Sequence, residues 1–405
     1  MWRYPPDVDR SGLALRALGE AGGPIAVFRD GDAWTVAWDP VEVLEGSGAA
    51  VLDAIDATTP GLWAGFLAFE TGHAIESVRL GRASGAPRRV PDAVLVRFAC
   101  QARVRSLGEG PAPAPVRLGP ARRSSLTRAE YVAAVEVVLE HIRAGDCYQV
   151  NLTRTLEWDA APDPVAMFLA LAARRPAPHA TLLRLPAAGD LLAIVGASPE
   201  RFLAWDGDAV ETRPIKGTAA HPAALEHSAK DRAENVMIVD LARNDLGRVC
   251  TPGTIHVPAL CAVERHPGLA HLVSTVRGRL RPDVGVGELL RATLPPASVT
   301  GAPKPSVLQI IEDLETVPRG VYCGATGWID TRRRRGDLAV AIRSFTVARG
   351  RTTLGVGGGI VADSDPEREW DETCLKARRL LARTGASDAT MAVDVDEGPV
   401  EVLTR

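Results

Sequence analysis

Two carboxylates and a lysine are spaced to share one face of a predicted helix near the C-terminal end of the chain. Glu369, Glu372 and Lys376 stand at positions i, i+3 and i+7. A glycine-rich segment, residues 354–361, comes shortly before them, and both open backbone and a helix N-terminus can receive an anionic ligand. Taken alone, the spacing favours an ordinary amphipathic helix whose Glu/Lys face is solvated.

A second acidic helix is predicted over residues 228–246. Its acids and amides fall on nearly every face while its valines and leucines need burial, so some polar groups must turn away from water. A buried carboxylate needs a cation, and a hard cation such as Mg²⁺ prefers oxygen ligands. Glu234 is therefore a candidate metal ligand together with Glu369 and Glu372. Ion pairs within the helix are the simpler interpretation of this segment by itself.

Lys216 is the candidate nucleophile. It lies in the segment Glu211-Thr-Arg-Pro-Ile-Lys-Gly-Thr218, where Pro214 keeps the chain extended and Ile215 and Gly217 surround the lysine with little polar bulk. A desolvated lysine loses its proton more easily and then becomes a nucleophile. The alternative is a lysine exposed on the edge of a strand.

Composition and missing motifs exclude several functional classes. The 405 residues carry a net charge of −3, which gives no support for binding to nucleic acid or an anionic membrane. No phosphate-binding loop, dinucleotide fingerprint, zinc-protease motif or serine-hydrolase motif is present. The six cysteines lack zinc spacing, and no apolar run reaches the ~18 residues of a membrane span. We expect a cytoplasmic protein with reduced thiols.

The chain divides at a stretch rich in Pro, Gly and Ala, residues 107–125. Short alternating segments before it predict an N-terminal subdomain of strands over residues 1–106. Residues 126–385 form the predicted second domain, and residues 386–405 form an acidic tail without periodicity. Short turns between its predicted strands favour antiparallel pairing and an α+β fold.

Capping signals place the helices that must position these residues. Thr127 and Glu130 form a predicted capping box, and Gly145 is expected to end the helix that follows. Either Ser364 or Asp365 can cap the helix that carries the two carboxylates.

Eight segments, in order, resemble the chorismate-utilising enzyme family, which includes anthranilate, aminodeoxychorismate, isochorismate and salicylate synthases. The segments are AGDCYQVNLTR (144–154), SPERFL (198–203), TRPIKGT (212–218), DRAENVMIVDLARNDLGRV (231–249), SVTGAPK (298–304), RGVYCGATGWI (319–329), AIRSF (341–345) and GGGIVADSDPEREWDETCLKA (357–377). The resemblance implies two large antiparallel β-sheets packed as a sandwich with surrounding helices. It also places the active site in the cleft between the sheets.

The resemblance implies chorismate as substrate and assigns roles to individual residues. Mg²⁺ is expected on Glu234 and Glu372, with Glu369 acting through water, and Glu200 matches the general acid of the family. The other positions that match substrate contacts or line the site are Gln149, Thr218, His271, Thr300, Tyr322, Arg343, Gly357, Gly358, Gly359 and Lys376.

Two positions discriminate between the activities of the family. Isochorismate and salicylate synthases carry a lysine base where this chain has Gln149, which disfavours attack by water. Lys216 stands where anthranilate synthases typically have alanine, and it resembles the aminodeoxychorismate synthase branch. The resemblance thus implies that the Lys216 amine attacks C2 of chorismate and that ammonia then enters at C4. Two alternatives stay open: 2-amination of the anthranilate synthase component I type, and a non-catalytic chorismate-binding subunit.

No segment resembles the nucleophile region of a glutamine amidotransferase. We therefore expect ammonia to come from a separate glutamine amidotransferase subunit or from solution.

Overall fold

The computed structural model describes residues 22–107, 116, 118–173, 176–219, 221–266 and 269–384, apart from the side chains of Thr218, His266 and Leu269. The predicted acidic tail, residues 386–405, lies outside the described residues, as do residues 108–115 of the predicted linker.

The described strands are β1 (Ile25–Asp30), β2 (Ala33–Gly46), β3 (Leu62–Leu67), β4 (Ala93–Val104), β5 (Arg123–Ser124), β6 (Gln149–Trp158), β7 (His179–Ala187), β8 (Asp190–Ser198), β9 (Arg201–Asp206), β10 (Ala209–Arg213), β11 (Ile215–Ala219), β12 (His256–His266), β13 (Leu269–Arg279), β14 (Gly301–Ala302), β15 (Ala325–Asp330), β16 (Arg335–Val340), β17 (Ser344–Ala348) and β18 (Arg351–Ile360).

The described helices are α1 (Gly48–Ala54), α2 (Thr71–Ile75), α3 (Arg128–Ala144), α4 (Pro164–Ala172), α5 (Pro222–Glu226), α6 (Ala229–Gly247), α7 (Val286–Thr293), α8 (Lys304–Leu314) and α9 (Pro366–Arg383). Two short 3₁₀ turns cover Ile55–Ala57 and Ala297–Val299. Within the described ranges, no helix combines the length and the apolarity that crossing a membrane requires.

All strand pairs are antiparallel, which confirms the predicted α+β class. Hydrogen bonds connect the strands in the order β12–β13–β10–β9–β16–β15–β3–β4–β2–β1–β7–β8–β17–β18–β6. The two predicted sheets are therefore two halves of one continuous ladder. The ladder turns back on itself, because apolar side chains of β3 and β4 share a buried cluster with those of β7 and β8.

The chain crosses between the two halves at two places that matter for the site. Residues Pro199 and Glu200 connect β8 in one half to β9 in the other. Residues 341–343 connect β16 to β17, and Arg343 takes a positive φ of 51° there. Strand 337–348, which the sequence predicts as continuous, is interrupted at this crossing. Glu200 and Arg343 thus stand where the halves diverge.

Local signals in the sequence agree with the helix ends. The capping box of Thr127 and Glu130 is present in full, and Gly145 ends α3 with a φ of 85°. Of the two candidate caps for α9, Asp365 is the one used, since its side chain accepts from the backbone N–H of Arg368. Ser364 donates to Glu369 instead, at 2.6 Å.

The predicted N-terminal subdomain shares the ladder with the rest of the chain. Strand β1 pairs with β7, and β3 pairs with β15. The C-terminal end of the predicted linker pairs as β5 with β6. The domain boundaries therefore stay a prediction, with hydrogen bonds crossing them.

Arg319 joins three of the segments that form the cleft. Its guanidinium donates to both carboxylate oxygens of Glu315, at 2.9 and 2.6 Å, and lies over the ring of Phe69. It also donates to the carbonyl oxygens of Asn151 in β6 and Val299 in the turn before β14. Because the pair is buried, with side-chain exposures of 1% and 4%, losing one partner leaves a charge without compensation.

We expect Arg319→Met to lower the free energy of unfolding by about 3–5 kcal/mol, because Glu315 and two carbonyls lose their donor inside the protein. Arg103→Ala, which removes an exposed pair with Asp30, is the matched control and should leave stability nearly unchanged. Chemical denaturation of the three proteins measures the difference. Equal stability of the two variants would contradict a structural role for Arg319.

Candidate active site

The two ends of the ladder meet at Lys216. Lys216 lies in β11, which pairs with β13 at one end of the ladder, whereas Gln149 in β6 and Gly359 in β18 lie at the other. A Cβ placed on Gly359 would stand 2.7 Å from Nε2 of Gln149 and 3.6 Å from Nζ of Lys216. A side chain at Gly359 would therefore press against the Gln149 amide and would meet Lys216 at an ordinary contact distance, so the three residues lie side by side in the cleft.

The amine of Lys216 is held away from bulk water. Its Nζ donates to the carbonyl oxygen of Ser298 at 3.2 Å. Burial lowers the pKa of Lys216, although the carboxylates of Glu234 and Glu200 act in the opposite direction. This environment increases the fraction of neutral amine and is the setting that a nucleophilic lysine requires.

Glu200 lies against the same lysine. Its Oε1 accepts from the backbone N–H of Ile215 at 3.4 Å, and the hydroxyl of Ser298 also bonds to its carboxyl group. Burial raises the pKa of Glu200 to about 7, and Lys216 and Arg343 reduce the size of that rise. A carboxyl group with this pKa can donate a proton near neutral pH and accept one later.

Gln149 is fully buried, and neither polar atom of its side-chain amide has a hydrogen-bond partner in the described part of the chain. Unpaired buried amides are costly, because both the donor and the acceptor lose their bonds to water. The side chain stands beside Lys216 and Gly359. A small polar ligand in the cleft would satisfy it.

The three predicted metal ligands act on one another electrostatically from two helices. Glu234 extends from α6, and Glu369 and Glu372 extend from α9. Burial raises the pKa of Glu234 and that of Glu369, and the nearby charge of Glu372 adds to the rise in each. Burial also acts to raise the pKa of Glu372, but Lys376 outweighs it and leaves that pKa below its ordinary value.

Carboxylate oxygens that repel one another are the donor set that a hard divalent cation takes. Mg²⁺ usually binds through one or two protein carboxylates together with water and substrate oxygens. The described residues contain no closed group of three acidic, histidine or cysteine ligands at metal distance. By donor chemistry the residues fit Mg²⁺, with part of the coordination left to other oxygens.

Lys376 connects the acidic helix to the glycine strand. Its Nζ lies 2.8 Å from Oε1 of Glu372 and donates to the carbonyl oxygen of Gly357 at 2.7 Å. A Cβ on Gly358 would stand 2.9 Å from Oε2 of Glu369, so the strand needs glycine here for the helix to approach. The positive charge of Lys376 thus lies against open backbone of the glycine strand. An anionic ligand bound there would contact both the lysine and the backbone.

The other residues that the resemblance assigns to the site have different surroundings in the structure. His271 is buried in β13 opposite the backbone of Thr218, whose side chain lies outside the described parts. The hydroxyl of Thr300 donates to the carbonyl oxygen of Pro296 at 2.9 Å. The Tyr322 ring packs against Gly355, and burial raises the pKa of its phenol well above the usual range. Arg343 is exposed to solvent and close enough to Glu200 to lower the pKa of that carboxyl group.

Two residues near the site were not singled out in the sequence. Ser298 bonds to both Lys216 and Glu200. Lys230, in the first turn of α6, lowers the pKa of all three predicted metal ligands. No spacing rule identifies Ser298, which acts from a short turn, whereas Lys230 stands four residues before Glu234 on α6 and acts on Glu369 and Glu372 from the other helix.

Known proteins resemble this chain in both sequence and structure. Aminodeoxychorismate synthase component 1 of Salmonella typhimurium is 41% identical over 292 residues, which cover 69% of this chain and 63% of that protein. Anthranilate synthase component 1 of Streptomyces coelicolor is 40% identical over 276 residues, which cover 66% of this chain and 53% of that protein. The crystal structure of anthranilate synthase component I from Streptococcus pneumoniae superposes with a TM-score of 0.74 at 26% identity, covering 86% of this chain and 92% of that one.

The matched region spans less than two thirds of these two curated relatives' own lengths. The sequence model of chorismate binding enzymes matches residues 23–382, which include every site residue described above. The chain therefore belongs to the family of chorismate binding enzymes.

Proposed function

We propose that this chain converts chorismate and ammonia to 4-amino-4-deoxychorismate, as aminodeoxychorismate synthase component 1. Relatives of that name, each about 41% identical, support the proposal. The observation that carries it is the Lys216 amine, which is buried beside Glu200 at the junction of the two sheet ends. An alanine at this position would leave the site without an amine nucleophile.

In the first step the neutral Lys216 amine forms a bond to C2 of chorismate. Both ring double bonds shift by one position, the C4–oxygen bond breaks, and Glu200 gives its proton to the departing hydroxyl, which leaves as water. The lysine nitrogen then carries a positive charge, and Glu200 is a carboxylate. The pKa of about 7 suits Glu200 to this donation.

In the second step ammonia bonds to C4, both double bonds shift back, and the C2–nitrogen bond breaks. Lys216 leaves as a neutral amine. The new ammonium group at C4 gives a proton to the Glu200 carboxylate, so both residues return to their starting states. The enolpyruvyl ether takes no part, and the product keeps it.

The residues around this pair would orient the substrate. Lys376, fixed between Glu372 and the Gly357 carbonyl, supplies a positive charge for a substrate carboxylate, and Arg343 supplies another near Glu200. Glu234, Glu369 and Glu372 would hold Mg²⁺. When bound, the ion supplies positive charge that orients a ring carboxylate and offsets its charge.

Ammonia would come from a partner, as the component 1 names of the relatives suggest. We propose a glutamine amidotransferase subunit as that source. The unpaired amide of Gln149, next to Lys216, is placed to bind a small polar nucleophile rather than to activate water as a base.

Anthranilate formation is the second candidate, because anthranilate synthase component 1 of Streptomyces coelicolor is 40% identical to this chain. Product identification separates the two. With chorismate, Mg²⁺ and ammonium, the proposal expects a product that retains the enolpyruvyl group, seen by liquid chromatography with mass spectrometry. Fluorescent anthranilate would overturn it.

Substitution of Lys216 tests the nucleophile. We expect Lys216→Ala and Lys216→Arg each to abolish C4 amination while chorismate affinity stays within about tenfold, because the change removes chemistry more than binding. Lys216→Arg keeps a long cationic side chain in the cleft but has no amine that can lose its proton. Turnover by either variant at the parent rate would exclude the covalent route. Steady-state kinetics and ligand binding by calorimetry measure the two effects.

Substitution of the acidic residues tests the metal site. We expect Glu234→Ala and Glu372→Ala each to weaken Mg²⁺ binding by at least about tenfold, since each removes a charged oxygen ligand. Calorimetric titration with Mg²⁺ measures this without turnover. Glu367→Ala, which removes an exposed carboxylate of the same helix α9, is the control. A variant that binds Mg²⁺ like the parent identifies a residue that is no ligand.

A further inference from the structure

A cavity borders Glu200, and neither Lys216 nor any of the three predicted metal ligands lines it. It has a volume of about 30 Å³, room for roughly two water molecules. Glu200 and Asp245 both line it, as do Thr212, Thr293 and Ser298. Much of the remaining wall is apolar, so the two carboxyl groups share a small space of low polarity.

Asp245 belongs to a buried ion pair that the proposed mechanism does not use. Nζ of Lys304, at the start of α8, donates to Oδ2 of Asp245 at 2.7 Å and to the carbonyl oxygen of Thr293 at 3.0 Å. The lysine and aspartate side chains are only 8% and 10% exposed. The pair joins the C-terminal end of α6 to the turn that leads to Ser298. Glu234 lies on the same helix.

We propose that Asp245 and Lys304 form a positioning pair that sets the protonation of Glu200 through the shared cavity. This inference rests on the proposed role of Glu200 as the acid. The balance of one negative and one positive charge keeps the field at Glu200 small, and the cavity that both carboxyl groups line has room for water. An unmatched charge on either residue would change the proton affinity of Glu200.

Other charged side chains lie near the two carboxyl groups. Lys216 and Arg343 face Glu200, and Arg201 reaches the cavity wall while paired with Asp337 and Glu211. Arg248 and Glu76 act on Asp245 in opposite directions. Burial raises the pKa of Asp245 to about 6, less than it would without Lys304. None of these charges replaces Lys304 as the direct partner of Asp245.

The test is the pH at which chorismate consumption declines on the alkaline side, where Glu200 loses its proton. Asp245→Asn leaves the charge of Lys304 unmatched, which favours the Glu200 carboxylate, so we expect this midpoint to fall by about 0.5–1 pH unit. Lys304→Met should not lower this alkaline midpoint. The double variant Asp245→Asn/Lys304→Met removes both charges and should restore the parent midpoint.

Asp240→Asn is the matched control, because Asp240 lies on the same helix, pairs with Arg243 and is 80% exposed. Its midpoint should equal that of the parent. If Asp245→Asn loses activity with an unchanged midpoint, or if the double variant keeps the shift, the pair has only a structural role and the inference is overturned. Asp245→Ser removes the same charge and serves where the asparagine variant does not fold.

Following chorismate loss keeps this test independent of which amino product forms. If the parent shows no turnover at all, the proposed function fails, but the coupling is still measurable. Carbon-13 NMR of the Glu200 carboxyl group, assigned with Glu200→Gln, gives its pKa directly. A lower pKa in Asp245→Asn, restored in the double variant, supports the inference, and an identical pKa in all variants overturns it.

Discussion

The site depends on one amine that is held away from water where the two ends of a single sheet meet. Burial lowers the pKa of Lys216, and the Ser298 carbonyl fixes its direction. Neither end of the ladder provides this setting alone, since β11 supplies the lysine, and β6 and β18 supply the Gln149 amide and the glycine backbone beside it. The folding of the sheet is therefore what brings this amine into the cleft.

Charges are distributed so that this amine and its acid can coexist. Burial raises the pKa of Glu200 to about 7 beside Lys216, while α6 and α9 bring the carboxylates of Glu234 and Glu372 close enough to act on the same lysine. Lys376 offsets one of them at Glu372. A substrate with two carboxylates and a hydroxyl leaving group would meet positive charge from the proposed metal and Lys376, and a proton from Glu200.

Much of this arrangement could be predicted from the sequence, because local rules decide much of it. Capping residues in the sequence correctly predicted both ends of α3, and the short turns correctly indicated antiparallel strands. The resemblance to known enzymes pointed to Lys216, Glu200 and Gln149, and the structure brings these three residues together. The sequence could not show that the two sheets form one ladder, or that Ser298, Lys304 and Asp245 stand behind the site, because those contacts join residues distant in the chain.

The most direct test of the central claim is intact-protein mass spectrometry after mixing with chorismate and Mg²⁺ in the absence of ammonia. The proposal predicts a covalent adduct with the mass of chorismate less one water, located on Lys216 by peptide mapping and lost when ammonium is added. Product formation with no adduct at any time, or an adduct that persists in Lys216→Ala, would contradict it.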